Sequence, residues 1–417
     1  MFGLLAKNTT AQIIAKVISV ATAVILIRLT TENLGKEGYG IYSFVMAIVL
    51  LFGTIADWGT NIIAVREAAQ NKEKQREIFG AAFTLRFLLS FAAGALLNVV
   101  VRVYPPWHEF INQLTVGSLV LLFLSIKSSI SIVFQTFLKF EWVGLAEIVN
   151  SLIFLALAAI FLIQGGGVVE VLFAWVLGTA AAAFVSFLVA IKIAKINFSA
   201  FPPDVIRRLI KESLPMGLFL VFFSIYNRVD IIILEHFKGI ENVAVYNLAY
   251  KIHDNLVLGA AFLMGSAFPV LSRMYAKGDT GSMIIFYRKL LGITALGGMA
   301  VAITFFVLAP LVIRVLTGEQ FVQFGDSVTA LKILIFATFI SYLNHLTGYS
   351  LIAFGKQKII LFVGTVALVF NVIVNMIFIP IYSWTAAATV TVFTELIVFL
   401  LTSYFISATI FKRHAQT

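Results

Sequence analysis

Ten ionisable side chains lie inside long apolar runs: Lys16, Asp57, Arg86, Lys127, Glu147, Arg228, Asp230, Lys251, Asp254 and Glu395. A charge facing lipid at the centre of a spanning helix costs about 2.5–3.5 kcal/mol, so ten would cost roughly 25–35 kcal/mol. Long side chains near the ends of such helices escape by snorkelling to the interface. The remainder must face protein or water. Two kinds of chemistry follow. Lys16 and Arg86 lie toward one membrane face, Lys127 near the middle, and Arg228 and Lys251 toward the other. Together they form a ladder of cations that would offer an anionic group a partner at each depth. Asp57, Asp230, Asp254 and Glu395 are placed either to neutralise those cations or to carry Na+ or H+ coupling.

One pairing is specific. Asp57 lies about six residues from the end of its run, or ~9 Å deep, and Arg86 about seven residues into the next, or ~10 Å deep. The two runs form a hairpin, so opposite charges sit at matching depth on adjacent helices and are expected to pair. Gly53 and Gly59 nearby allow close helix contact. Asp230 is close enough to neutralise either Arg228 or Lys251. Several polar residues fall on single helical stripes: Asn247 with Lys251 and Asp254, Lys127 with Ser131 and Gln135, Thr391 with Glu395 and Thr402, and Asn371 with Asn375. Such stripes also join helices to one another. His253 and His345 lack a neighbouring nucleophile or ligand set and read as structural.

The elements that must position these groups are membrane helices. Of 417 residues 61% are hydrophobic and 12% charged, and the mean hydropathy is +1.01. A soluble domain needs roughly a quarter of its residues charged. Apolar runs near the ~20 residues that cross a bilayer recur along the whole chain. The expected spans are 9–30, 41–63, 79–101, 113–137, 142–163 and 169–191, then 213–236, 243–270, 290–315, 328–353, 358–380 and 384–410. The expectation is an all-α polytopic membrane protein of about 12 spans. The first run leads straight into others without a small-residue cleavage site and reads as a retained span.

Cysteine is absent, which excludes disulfides, thiol catalysis and thiolate metal sites. No Gly-rich phosphate loop precedes a Lys-Ser or Lys-Thr pair, so ATP is not an expected fuel, and no cofactor is implied. The net charge of +10 reports topology and not a nucleic-acid partner. With alternating spans, roughly nineteen basic residues fall on one side and five on the other, which places both termini in the cytosol.

The longest polar interruption, Lys195–Pro215, falls near the midpoint. It divides an amino-terminal lobe (1–194) and a linker (195–212) from a carboxy-terminal lobe (213–417). Pro202 and Pro203 suit a helix start, and Val205, Ile206, Leu209 and Ile210 share a face, as in a short helix lying in the cytoplasmic interface. The halves are related: "LGKEGYGIYSF" (Leu34–Phe44) aligns with "FKGIENVAVYNL" (Phe237–Leu248) at an offset of 204 residues. Each half has six spans starting on the same side, so the expected repeat is parallel.

These residues also resemble a known family. "RLTTENLGKEGYGIYSFVMAIVLLFGTIADWGTNIIAVRE" (Arg28–Glu67), with its "LGKEGYGIYSF", "DWG" and "AVRE" elements, is similar to polysaccharide-biosynthesis proteins. These include the O-antigen-type flippases of lipid-linked oligosaccharides, in the superfamily of multidrug, oligosaccharidyl-lipid and polysaccharide exporters. "RVDIIILEHF" and "VAVYNLAYKI" resemble the opening of that family's second lobe. The resemblance implies two six-helix bundles around a V-shaped cavity that alternates between inward- and outward-facing states. It also implies a polyprenyl-pyrophosphate-linked oligosaccharide as cargo, and Arg28 matches a basic position common in the first span of such flippases. Peptidoglycan-precursor flippases of the superfamily commonly carry two further spans, which a twelve-span reading lacks. The main alternative is a cation-coupled exporter of amphipathic drugs. A membrane glycosyl- or acyltransferase is disfavoured, because no paired catalytic carboxylate or positioned histidine accompanies a substantial loop.

Overall fold

The computed structural model describes residues 2–194 and 203–414. All regular structure among them is helical. Ten helical stretches are long and apolar enough to cross a membrane. Two of these are far longer than one crossing requires: Gln12–Gln70 with 59 residues and Thr280–Ala353 with 74. Each contains two of the sequence-expected spans.

The chain forms two compact units, Met1–Ser224 and Ile225–Thr417. The boundary therefore falls inside the expected seventh span, and the helix after the linker goes largely with the first unit. That unit holds α1 (Phe2–Asp57), α2 (Thr60–Gln70), α3 (Gln75–Val103), α4 (Ile111–Thr136), α5 (Phe140–Ile163), α6 (Val168–Ala194) and most of α7 (Pro203–Tyr226). The second holds α8 (Val229–Lys238), α9 (Ile240–Lys277), α10 (Thr280–Thr317), α11 (Gly325–Ala353), α12 (Gln357–Tyr382) and α13 (Trp384–His414).

The expected loop between the first two spans is a single bend. Gly35 (φ 65, ψ −168) has a non-helical backbone and kinks α1, dividing Phe2–Asp57 into two helical segments. Gly239 (φ 79, ψ 173) makes the same bend between α8 and α9. The two stand at the offset that aligns the halves. This backbone region is open essentially only to glycine, because any Cβ clashes there. Tyr42 and Tyr246, also related by that offset, are both buried.

The second and seventh expected spans are each broken part-way. The first break is at Trp58 and Gly59, both with positive φ, and the other lies between α7 and α8. The interfacial helix expected within Lys195–Pro215 is not a separate element. Among the described residues it is the first half of α7, running through Pro215 into the apolar segment; residues 195–202 lie outside the described set. Part of its apolar face meets protein, Val205 and Leu209 being buried against Ile63, Ala68, Ile78 and Ile132, while Ile210 is 43% exposed. Burying those side chains in a packed core removes more apolar surface from water than an interface does.

In the first unit α1 packs on α5, α4 on α6 and α3 on α4; in the second α11 packs on α9, α10 and α13. Outward faces remain apolar. Leu296 on α10 is 75% exposed, as lipid-facing positions must be.

Candidate functional site

In the first unit the expected pair is present. Asp57, the last residue of α1, forms an ion pair with Arg86 of α3. The Arg86 side chain is 3% exposed and that of Asp57 27%. The helix break explains the position of the acid. At Trp58 and Gly59 the chain turns, Thr60 starts α2, and the Thr60 hydroxyl donates to the Asp57 carbonyl at 2.7 Å. Arg86 also donates to the hydroxyls of Thr60 at 3.4 Å and Ser128 of α4. Three helices thus converge on one guanidinium, while its Nε has no partner. Gly59 does allow close helix contact, its neighbour being α7. Its φ of 66 forms the turn, and a Cβ there would lie 2.9 Å from the Gly217 nitrogen of α7.

Lys127 of α4 is bonded to Glu147 of α5 at 2.9 Å, the acid being 44% exposed. Its stripe continues as expected, with Gln135 donating to Ser131 at 3.1 Å. Arg28 pairs with Glu32 one turn along α1 at 3.1 Å and is half exposed. Lys16 is partly buried and makes no ion pair among the described residues.

The second unit is organised differently. Asp230 is buried, and neutral groups bond both of its carboxylate oxygens. One oxygen accepts from the Ile231 backbone N–H at 2.8 Å and the other from the Tyr246 hydroxyl. Tyr246 reaches on to Thr391 at 3.1 Å. A buried carboxylate at the first turn of a helix is satisfied by the nearest N–H and a hydroxyl without desolvating a second ion. Arg228 caps the start of α8 and is partly buried. The stripe on α9 grades from a buried Asn247 through a partly buried Lys251 to an exposed Asp254. Those three residues therefore meet different surroundings.

Glu395 of α13 accepts three hydrogen bonds: from the Tyr226 hydroxyl at 2.8 Å, Ser341 at 2.8 Å and the Asn344 amide at 2.7 Å. Among the described residues it has no ion-pair partner. Thr402 on the same stripe donates to Thr347 at 2.8 Å. Asn375 donates to Asn371 at 3.0 Å, and Asn371 donates to Thr394 at 3.4 Å. His253 bonds Thr338 and His345 bonds the Ser341 carbonyl, each at 2.8 Å. The sequence reading missed Tyr226, Tyr246, Ser341 and Asn344. For the tyrosines a signal existed, since a phenol inside an apolar helix needs a partner for its hydroxyl.

A helical chain that fastens charges inside its apolar segments has the construction of a transporter, and comparison with solved structures agrees. The lipid II flippase MurJ in an inward closed conformation matches with a TM-score of 0.78 at 14% identity, over 96% of this chain and 87% of that one. An inward-facing multidrug resistance MATE family transporter matches with a TM-score of 0.73 at 17% identity, over 94% and 95%. A transporter of that superfamily from Pyrococcus furiosus matches at 0.66. The fold is that of the MATE and MurJ transporters, and the protein is a multi-pass membrane protein.

Within that class the chain belongs to the polysaccharide biosynthesis protein family, whose model matches residues 5–275. The MatE model matches residues 215–377. Two proteins described as "Putative O-antigen transporter" are similar along most of their length. The one from Shigella dysenteriae is 23% identical over 79% of this chain and 82% of its own. The one from Escherichia coli strain K12 is 20% identical over 78% of each.

Proposed function

We propose that this chain moves a polyprenyl-pyrophosphate-linked oligosaccharide from the cytoplasmic to the outer leaflet for cell-surface polysaccharide synthesis. It would do so by alternating access of two six-span lobes, with twelve crossings and both termini cytosolic. The likeness to two O-antigen transporters carries this reading, because lipid-linked sugar is the material such transport requires. The repeated glycine bend at Gly35 and Gly239 supports two related lobes.

The chemistry fits. A sugar entering hydrocarbon would lose its hydrogen bonds to water at several kcal/mol per polar group. A hydrated route removes that barrier while the prenyl chain stays in lipid. The pyrophosphate needs cations, and Lys16, Arg28, Arg86, Lys127, Arg228 and Lys251 are the candidates. Three of them, Arg28, Arg86 and Lys127, already hold a carboxylate. All six contribute to the field that a phosphate would meet. With the cytosol negative, outward movement of anionic charge gains ~2.3 kcal/mol per charge per 100 mV. Asp230, Asp254 and Glu395 are the groups for any Na+ or H+ coupling.

In cells that make this protein, deleting it should remove surface polysaccharide and leave lipid-linked sugar on the cytosolic leaflet. Intact polysaccharide after deletion would refute the reading. A second reading, export of cationic amphiphiles, is favoured by one observation: the buried Asp230 and the partly buried Glu395 are each hydrogen-bonded by neutral donors. Drug sensitivity on deletion with normal polysaccharide would establish it instead.

A further inference from the structure

The first half of α7 is fixed to α2 by two crossed ion pairs. Arg66 pairs with Glu212, and Glu67 pairs with Arg208 at 2.9 Å. Beside them opens a cavity of about 530 Å³ lined by these four residues with Gln70, Asn71 and Lys74. Every lining side chain is polar or charged. Three cations face two carboxylates, and both carboxylates are already engaged. Arg66 uses one amino group on Glu212, and Arg208 uses Nε and one amino group on Glu67. Each guanidinium has five donors, so most remain. Lys74 is exposed and makes no ion pair among the described residues. What the cavity offers a ligand is donors and net positive charge.

Apolar surface begins beside it. Ile62, one turn before Arg66 on the same face of α2, is 49% exposed. A polar, donor-rich cavity bordered by an exposed aliphatic side chain on a membrane helix matches a molecule with a phosphate at one end and a hydrocarbon chain at the other.

We propose that the cavity between α2 and the first half of α7 binds the phosphate group of a lipid, with the lipid chain along Ile62. This site is separate from the cations within the spans, and binding to it is measurable whether or not the transport reading holds. Two lipids share the chemistry, an anionic phospholipid of the bilayer and a prenyl diphosphate.

The test uses the full chain, delipidated in detergent and examined by native mass spectrometry. The probes are phosphatidic acid, farnesyl diphosphate, diacylglycerol and inorganic pyrophosphate. At least one phosphate-bearing lipid should bind while diacylglycerol does not. Lys74→Gln should weaken binding about five-fold, the worth of one lysine beside an anionic lipid. Lys74→Arg should restore it, and Lys277→Gln in the second unit should leave it unchanged. Preference for phosphatidic acid identifies a bilayer lipid, and preference for farnesyl diphosphate identifies the prenyl carrier class; either supports the site. Lys74 carries no ion pair, so its replacement should leave the fold intact, which an unchanged melting temperature verifies. Equal binding by Lys74→Gln, binding of pyrophosphate as tight as that of the lipids, or no lipid binding overturns the proposal.

Discussion

The two units treat the acids within their apolar segments in opposite ways. In the first, carboxylates meet cations: Asp57 holds Arg86, and Glu147 holds Lys127. In the second they meet neutral groups: Asp230 takes a tyrosine hydroxyl and a backbone N–H, and Glu395 takes a tyrosine, a serine and an asparagine. An ion pair cancels its own field and locks two helices together. A carboxylate held by hydroxyls and amides keeps its charge for something else to answer, whether proton, metal cation or ligand. The first unit thus reads as a braced frame and the second as the side with charge to exchange.

Substitutions can break this contrast, and the largest effect belongs to the first unit. Asp57→Ala strands a buried guanidinium and should cost about 3–5 kcal/mol of stability in denaturant unfolding. Adding Arg86→Met should recover much of that loss. If the single variant is as stable as the parent, Asp57 is not a brace. Next come the paired bends. Gly35→Ala and Gly239→Ala should each cost about 1–3 kcal/mol, since both force a Cβ into a backbone region reserved for glycine. A large effect in one unit and none in the other would contradict their equivalence. Glu395→Gln leaves no stranded cation and should cost about 1 kcal/mol. A loss as large as that of Asp57→Ala would show that Glu395 is a brace too. The smallest effect is expected from Lys127→Gln, about 0–1 kcal/mol, because its partner is nearly half exposed.

Much of this was legible in the sequence, for identifiable reasons. Hydropathy alone located the helices, because a spanning segment must satisfy its backbone internally whatever surrounds it. The Asp57–Arg86 pair followed from depth counting on neighbouring spans, and the alignment of Leu34–Phe44 with Phe237–Leu248 marked the related bends. The breaks were not legible. "ADWGT" reads as helical by hydropathy, and only the coordinates show Trp58 at positive φ. The partners of Asp230 and Glu395 were also hidden. Arg228 is two positions from Asp230, so proximity favoured it, but Tyr246 sixteen residues on takes the contact. Glu395 is bonded by Tyr226 from 169 residues away, a contact that only the folded chain creates. The amphipathic start of α7 displayed an apolar face, yet nothing in its pattern distinguished a protein neighbour from a lipid one.

The most direct measurement places purified protein in liposomes with a polyprenyl-pyrophosphate sugar labelled on its headgroup, and follows that label's accessibility in each leaflet. The account predicts protein-dependent exchange between leaflets, slowed about tenfold by Arg228→Gln or Lys251→Gln, the worth of one charge-assisted phosphate contact. If the label stays in its leaflet while a cationic amphiphile crosses in the same vesicles, the chain is an exporter of another kind and the central claim fails.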